Sequence, residues 1–279
     1  MMHALDPAVH GPIFDTIKDL LPAPKPHPLG CHRRRVPDVV CFVALLHRLV
    51  TGASWTTIES FLPWKVSDTT LRARRDEWIA AEVFDQILLQ ALAGYQRLIG
   101  FGLDHVSIDG SDKLAPGGGQ GAGHGYKLHG RLGWKWCVAV DADGIPMAFA
   151  IDAANRNDYP MMFEVLDQLA AAGIVALIDT LHVDRGLNYP ETPGRLAENY
   201  GIVRFNAPVR NKPAEGTRPL VGLGKRRWIV EAFNSWMSNY GQLRRNTDRK
   251  TIHRKAAFQL AIALFLVHRL TQKSTSPIR

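Results

Sequence analysis

The chain has 279 residues, of which 46% are hydrophobic and 22% charged, as in a globular protein with one sizeable core or two domains. Lysine and arginine number 34 against 26 aspartates and glutamates, which gives a formal net charge of +8. This excess favours a polyanionic partner such as a nucleic acid, although a merely basic globular protein fits the charge alone equally well.

Export and membrane signals are lacking in the sequence. Residues 1–20 do not show the basic start and continuous apolar stretch of a signal peptide, and the longest apolar run, residues 260–267, is too short to span a bilayer. The cysteines, Cys31, Cys41 and Cys137, form no C-x-x-C pair, which argues against a zinc site or a disulfide framework. We therefore expect a cytoplasmic protein with no membrane partner.

Residues 1–100 are predicted to form a small helical domain. The proline-rich residues 22–37 are expected to be extended, and apolar residues at helical spacing then predict four short helices. These helices cover residues 39–50, 54–61, 69–81 and 83–98, with Gly52 ending the first, Ser54 capping the second and Ser67 or Asp68 capping the third. Short helices joined by tight turns favour a helix-turn-helix-like DNA-binding module.

Three arginines, Arg72, Arg74 and Arg75, lie near the start of the third predicted helix. In a DNA-binding module such residues contact phosphates or bases. A solvated helix face, balanced in part by Asp76 and Glu77, explains them equally well, so the sequence leaves both interpretations open.

From residue 101 to residue 279 the pattern becomes α/β, which predicts a second domain. Asp143-Gly144 between apolar runs is a strong hairpin signal. Strands are predicted at residues 106–109, 134–140, 145–151, 174–178 and 202–205, and helices at residues 159–172, 189–200, 225–240 and 256–270. This order indicates a mixed sheet covered by helices.

Three acidic residues are candidates for catalysis. Asp109 ends the first strand, Asp184 follows the apolar run at residues 174–178, and Glu231 lies in a basic, aromatic helix. Carboxylates converging from two strands and a helix can hold two Mg²⁺ ions, and such a pair cleaves phosphodiesters. An aspartate at a strand end is more often a turn or helix cap, and Asp179, which ends the apolar run more directly, rivals Asp184 for the second position.

Four segments carry a resemblance to a known family. They are Ser107-Ile108-Asp109-Gly110-Ser111, the Gly-rich loop with Tyr126-Lys127-Leu128-His129, His182-Val183-Asp184-Arg185-Gly186, and Arg227-Trp228-Ile229-Val230-Glu231 followed by Phe233-Asn234-Ser235-Trp236 and Leu243-Arg244-Arg245. Together they resemble the DDE transposases of bacterial insertion sequences, in the group numbered five, over roughly residues 36–270. The resemblance favours Asp184 over Asp179.

The resemblance implies an RNase H-like fold in which Asp109, Asp184 and Glu231 are catalytic and ligate two Mg²⁺ or Mn²⁺ ions. It implies cleavage of double-stranded DNA at the element's terminal inverted repeats, followed by transesterification into target DNA. It further implies a homo-oligomer that acts on DNA at the nucleoid. The DNA contacts expected in this part of the chain are Lys127, Arg227, Arg244, Arg245, Arg249 and Lys250.

Some positions depart from the family pattern or have a plainer explanation. Leu187-Asn188, Ala232 and Ser238 stand where the family usually has other residues, which leaves open a catalytically inactive DNA-binding regulator. A stand-alone nuclease without strand joining is a third alternative.

The basic residues after Glu231 also fit a solvated tail, and Trp228 and Trp236 are expected in the core rather than on bases.

Overall fold

The structure is a computed structural model that describes residues 5–24, 35–62, 66–207 and 223–275, without the side chains of residues 61, 223–227 and 273–275. Its helices are α1 (Pro7–Ile17), α2 (Asp38–Thr51), α3 (Trp55–Phe61), α4 (Asp68–Ala80), α5 (Val83–Leu98), α6 (Asp158–Ala171), α7 (Thr192–Tyr200), α8 (Leu223–Met237), α9 (Gly241–Arg244) and α10 (Thr251–Thr275). Its strands are β1 (His105–Leu114), β2 (Gly123–His124), β3 (Leu132–Val140), β4 (Pro146–Ala153), β5 (Thr180–Val183) and β6 (Phe205–Asn206). Most of the predicted connector at residues 22–37 lies outside the described residues.

The N-terminal helices α2–α5 confirm the predicted all-helical region and its caps. Ser54 accepts a hydrogen bond from the amide of Thr57 at 3.1 Å, and Ser67 accepts one from Thr70 at 3.2 Å. Gly52 ends α2 with a left-handed φ of 70°, a conformation that glycine adopts without steric cost. Helix α1 was not predicted, although Asp6-Pro7 is a usual helix start, with an acidic cap and a proline at the first helical position.

The chain divides into two compact units, Ile99–Trp236 and a helical unit made of Met1–Leu98 with Met237–Arg279. Helix α10 packs against α5 and α1, and α9 packs against α2. Gly241 lies directly on the end of α2, so that a Cβ there would be 2.7 Å from the amide nitrogen of Gly52. The C-terminal helices, which the sequence grouped with the sheet, thus bury their apolar side against the N-terminal helices. The division into domains at residue 100 stays a prediction.

The sheet has the strand arrangement that the RNase H-like expectation requires. Strand β1 lies between β3 and β5, β4 pairs with β3, and β6 lies outside β5. The pairs β1–β3 and β3–β4 are antiparallel, whereas β5 is parallel to β1 and β6 is parallel to β5. Short β2 pairs with the start of β3. The predicted mixed sheet and its hairpin at Asp143-Gly144 are therefore confirmed.

The predicted strand at residues 174–178 is wrong. Residues Val175–Leu177 form a single 3-10 turn, in which Val175 is buried and Leu177 is exposed, and the strand is β5, two residues further on. A short apolar run does not distinguish a buried strand from another buried segment, and here only part of the run faces the core.

Helices lie on both faces of the sheet. Val106 and Ile108 of β1 point into an apolar core that also contains Met162 and Leu166 of α6. Because successive residues of a strand point to opposite faces, Ser107 and Asp109 point to the other face, where Asn234 of α8 contacts Asp109. In the described ranges, no helix is both long and apolar enough to cross a membrane.

Candidate carboxylate centre

Asp109 and Asp184 are brought together by the register of two parallel strands. Ile108 of β1 lies opposite Val183 of β5 as the last pair of their ladder. The residue after Ile108 is Asp109 and the residue after Val183 is Asp184, and neighbouring strands lie about 4.8 Å apart. Asp109 and Asp184 therefore occupy neighbouring positions on the same face of the sheet.

Asp179, the rival of Asp184, lies at the wrong end of β5. It precedes the strand, and Arg204 Nη1 donates to both of its carboxylate oxygens, at 2.9 and 3.0 Å. Asp184 follows the strand and accepts a hydrogen bond from the amide of Arg185 at 2.7 Å, which orients its carboxylate at the start of a 3-10 turn. The geometry favours Asp184 as the partner of Asp109.

Helix α8 connects to this pair through Asn234. Its Nδ2 donates to Asp109 Oδ2 at 3.0 Å, and its Oδ1 accepts from Trp136 Nε1 at 2.7 Å. Glu231 lies three residues before Asn234, so the two share one side of the helix. Glu231 therefore lies one helical turn from the residue that contacts Asp109, and its side chain is exposed.

The three carboxylates have the chemistry of a hard-cation site, but they are not assembled as one. Within the described part of the chain, no three His, Cys, Asp or Glu side chains are grouped closely enough to hold a metal ion. Adjacent aspartate oxygens nevertheless suit Mg²⁺ or Mn²⁺, which prefer one or two carboxylates completed by water and substrate phosphate. A complete ligand set would need Glu231 to turn toward the aspartates.

A buried histidine supports the same face of the sheet. His182 Nδ1 faces the side-chain amide nitrogen of Asn206, Nδ2, at 3.0 Å, and His182 Nε2 faces His105 Nδ1 at 3.0 Å. Because an amide nitrogen only donates, His182 Nδ1 accepts and the ring proton is on Nε2. Burial lowers the pKa of His182, so the ring is neutral near pH 7. This chain of hydrogen bonds links β1, β5 and β6 beside the aspartates.

Lys127 and Lys113 lie within electrostatic reach of Asp109. Burial alone would lower the pKa of Lys127, but Asp158, 3.5 Å from its Nζ, and then Asp112 and Asp109 raise it, so Lys127 stays a cation. For Lys113 burial prevails and lowers the pKa, although Asp112 and Asp109 oppose the shift. The predicted DNA contact at Lys127 is thus a charged side chain near the carboxylates.

Arg74 and Arg75, expected as DNA contacts, are buried in ion pairs, and this corrects their assignment. Arg74 pairs with Asp38 and, at 3.2 Å, with Glu77. Arg75 Nη1 lies 3.0 Å from Asp248. Both guanidinium groups face protein carboxylates rather than solvent, because α4 lies within the helical unit instead of presenting this side outward.

The other predicted DNA contacts are largely exposed. Arg72 is on the surface and pairs with Asp68 at 3.2 Å. The exposed basic residues of the C-terminal segment are Arg244, Arg245, Arg249 and Lys250. The side chain of Arg227 lies outside the described residues.

Sequence reasoning missed Asn234 and misjudged two tryptophans. The three-residue spacing from Glu231 is the signal that could have pointed to Asn234. Trp228 and Trp236, expected in the core, are 65% and 43% exposed. Trp228 therefore lies largely in solvent and does not fill the core of the unit Ile99–Trp236.

The strand order defines an RNase H-like fold, and it places Asp109 and Asp184 at neighbouring positions of two adjacent strands. The family described as the transposase DDE domain matches residues 100–266, more than half of the chain, and the chain belongs to this family. Membership gives the chain a transposase role.

Two known proteins are similar to this chain. A relative from Burkholderia cepacia, which carries the name of a transposase for insertion sequence element IS402, is 26% identical over 151 residues, covering 52% of this chain and 68% of the relative. A solved structure, the Mos1 transposase paired-end complex with left transposon end, covers 88% of this chain and 82% of its own at 11% identity and a TM-score of 0.27. Because this TM-score is low, the fold is assigned from the strand order of the sheet and not from the Mos1 structure.

Proposed function

We propose that this chain cuts DNA at the ends of an insertion sequence and joins those ends to target DNA, with Asp109, Asp184 and Glu231 holding two Mg²⁺ or Mn²⁺ ions. One observation carries the proposal. Asp109 and Asp184 follow the last pair of two adjacent parallel strands, and α8 brings Asn234 to Asp109 with Glu231 one turn away.

The bound ions would supply activation of the attacking oxygen and stabilisation of the leaving one. The protein's own groups prepare the site. Asn234 fixes the direction of the Asp109 carboxylate, and the amide of Arg185 fixes that of Asp184. Lys127, held as a cation, is available to bind a phosphate of the strand being cut.

The partners that we propose are the terminal inverted repeats and the target DNA, both double-stranded. The exposed Arg72, Arg244, Arg245, Arg249 and Lys250 would bind phosphates, and the net charge of +8 suits a polyanion. Strand transfer acts on paired ends, so we also propose a homo-oligomer on DNA, working in the cytoplasm at the nucleoid.

A catalytically inactive DNA-binding regulator is the competing function. It is favoured by the lack of a three-ligand metal group among the described residues and by the family departures at Leu187 and Ala232. Such a protein would bind DNA with a steep salt dependence and would not nick it under any divalent ion. A stand-alone nuclease would cut without producing joined strands.

The test is cleavage of DNA that carries the element ends, with Mg²⁺ or Mn²⁺, by the wild type and by Asp109→Asn, Asp184→Asn and Glu231→Gln. Each variant should lose more than about a hundredfold in cleavage rate while DNA binding is kept, because each loses a ligand and not a DNA contact. Asp179→Asn is the matched control and should cut like the wild type, since Asp179 lies at the other end of β5.

Each outcome separates the candidate functions. Full cleavage by one of the three variants removes that residue from the site. Wild-type binding without cleavage under either ion supports the regulator, and cleavage without joined products supports the nuclease. Calorimetric titration of the wild type with Mn²⁺, compared with Asp109→Asn, reports metal binding independently of activity.

A further inference from the structure

Tyr126 is an aromatic side chain with no packing role. It lies in the short 3-10 turn Tyr126–Leu128, between β2 and β3, and is 97% exposed. Its neighbours His124, Lys127 and Arg131 are exposed too. An aromatic ring so fully in water beside the cationic Lys127 and Arg131 is suited to contact a partner that has both flat apolar surfaces and negative charge.

The backbone around Tyr126 is closed by hydrogen bonds. The amide of Gly130 donates to Gly125 O at 3.0 Å, and the amide of Gly125 donates to Arg131 O at 3.1 Å. His124 Nδ1 donates to Gly130 O at 2.7 Å. The turn is therefore a preformed support, and Tyr126 projects from it without a large ordering cost on binding.

Leu128 anchors the turn to the sheet. A Cβ on Gly125 would lie 3.3 Å from Leu128 Cδ1 and 2.9 Å from Ala154 Cβ, and a Cβ on Gly133 would overlap Leu128 Cδ1. The two glycines thus leave the space that Leu128 occupies. With Leu128 packed inward, the turn presents Tyr126 and Lys127 outward.

The turn lies next to the strand that carries Asp109. Residues Tyr126–Leu128 pack against β1. Lys127 Nζ is 3.5 Å from Asp158, whose carboxylate lies so close to Gly110 that a Cβ there would be 3.1 Å from it. Gly110 directly follows Asp109 but points to the opposite face of β1, so the turn lies beside the same stretch of strand on the α6 face, with Lys127 within electrostatic reach of Asp109.

Beyond Ile108, one edge of β1 has no neighbouring strand among the described residues. After Ile108 the pairing with β5 ends, and among the described strands β1 continues beside β3 alone. A DNA end bound by Asp109 and Asp184 would pass this edge. Bases near a strand being cut must leave their stack when the duplex end opens, and an aromatic ring compensates for the lost stacking.

We propose that Tyr126 stacks on an unpaired base at the DNA end bound by Asp109 and Asp184, while Lys127 binds the neighbouring phosphate. The contact is sequence-tolerant, because every base has a flat face. The inference rests on the proposed function, since it needs a DNA end at the carboxylate centre.

The test compares binding to a duplex with a short unpaired thymidine tail and to the same DNA with abasic sites in the tail. Tyr126→Ala should weaken binding to the thymidine tail by roughly five- to a hundredfold and leave binding to the abasic tail unchanged. Tyr126→Phe should keep the affinity, whereas Tyr126→Leu should lose it. Leu177→Ala, which shortens another exposed apolar side chain, is the control and should bind like the wild type.

The outcomes distinguish this inference from the proposed function. If Tyr126→Ala weakens binding to both tails equally, or to neither, the stacking is excluded while cleavage of DNA ends by the wild type still stands. If the wild type neither binds nor cuts any of these DNAs, the proposed function fails first. All variants are exposed-surface changes, and circular dichroism checks that each is folded.

Discussion

Asn234 uses both ends of its amide, one to hold Asp109 and one to satisfy Trp136. Trp136 is fully buried, and its indole Nε1 donates to Asn234 Oδ1 at 2.7 Å. The Nδ2 group donates to Asp109 at 3.0 Å. One residue thus couples the stability of the sheet to the orientation of a candidate metal ligand.

Asn234→Ala should lower both stability and cleavage. The free energy of unfolding should fall by about 1–3 kcal/mol, because the buried indole NH of Trp136 loses its acceptor. Cleavage of element ends should also fall, because the Asp109 carboxylate loses a donor. Urea unfolding measures the first effect, with Ser235→Ala on the exposed side of α8 as the control. A variant as stable as wild type would show that the Trp136 contact contributes nothing.

The residues of the site differ in how far sequence could locate them. The sequence predicts that the first strand ends at Asp109, but β1 continues to Leu114, so Asp109 lies inside the strand. Asp184 directly follows β5, which is not the apolar run at residues 174–178 that pointed to it. Asn234 could not be assigned to Asp109, since that contact depends on which side of α8 faces the sheet. Arg74 and Arg75 looked like surface charges because one partner, Asp248, is far away in the chain.

At the scale of elements, sequence signals carried by one or two residues predicted caps and turns correctly. Apolar patterns, whose meaning depends on burial, did not always predict the strands correctly. Serine caps and the Asp143-Gly144 turn act through local hydrogen bonds and backbone angles, so they hold whatever the tertiary context. The run at residues 174–178 is apolar like a strand, but its place in the sheet is taken by β5, whose pairing with β1 is not local.

Gly133→Ala should disturb the Tyr126 turn and the start of β3 together. The new methyl group would overlap Leu128 and lie 2.7 Å from the backbone oxygen of Lys113, which cannot move without shifting β1. We expect a loss of about 1–3 kcal/mol in unfolding free energy. Hydrogen exchange should show faster exchange of the amides of residues 125–131.

Gly194→Ala is the matched control in α7. Nothing lies within 4 Å of a Cβ at this position, so the added methyl group fits and restricts the unfolded chain. Its unfolding free energy should rise by about 0.5–1 kcal/mol. Equal effects of the two substitutions would contradict the close packing of Leu128 on Gly133.

At the scale of the whole molecule, the helical unit is held together by a buried carboxylate between distant parts of the chain. Asp248 Oδ1 lies 3.1 Å from Arg48 and 3.0 Å from Arg75, and Gln242 donates to Asp248 Oδ2 at 2.8 Å. Arg48 belongs to α2 and Arg75 to α4, so this cluster joins the N-terminal helices to the segment between α9 and α10. The same contacts explain why residues 237–279 pack with the N-terminal helices.

Asp248→Asn should destabilise the helical unit in a pH-dependent way. Burial would raise the pKa of Asp248, but Arg48 and Arg75 outweigh burial and lower it below its ordinary value of 3.8. A carboxylate with a lowered pKa contributes stability that is fully present above the ordinary value and is lost as the pH falls through the folded value. At pH 7 the variant should therefore lose roughly 3–5 kcal/mol, because the buried guanidinium group of Arg48 loses its counter-charge and that of Arg75 is left with the exposed Asp76.

The difference between wild type and Asp248→Asn should begin to shrink as the pH falls below the ordinary value of 3.8, where the unfolded chain takes up a proton, and should disappear only below the lowered pKa of the folded Asp248 carboxylate. Urea unfolding from neutral to acid pH, together with hydrogen exchange of the α2 and α10 amides, measures this difference in unfolding free energy. Asp179→Asn, which breaks an exposed pair with Arg204, should cost less than about 1 kcal/mol at pH 7. A difference that stays constant from neutral to acid pH would mean that the charge of Asp248 does not stabilise the unit, and that its role is limited to filling space between α2, α4 and α10.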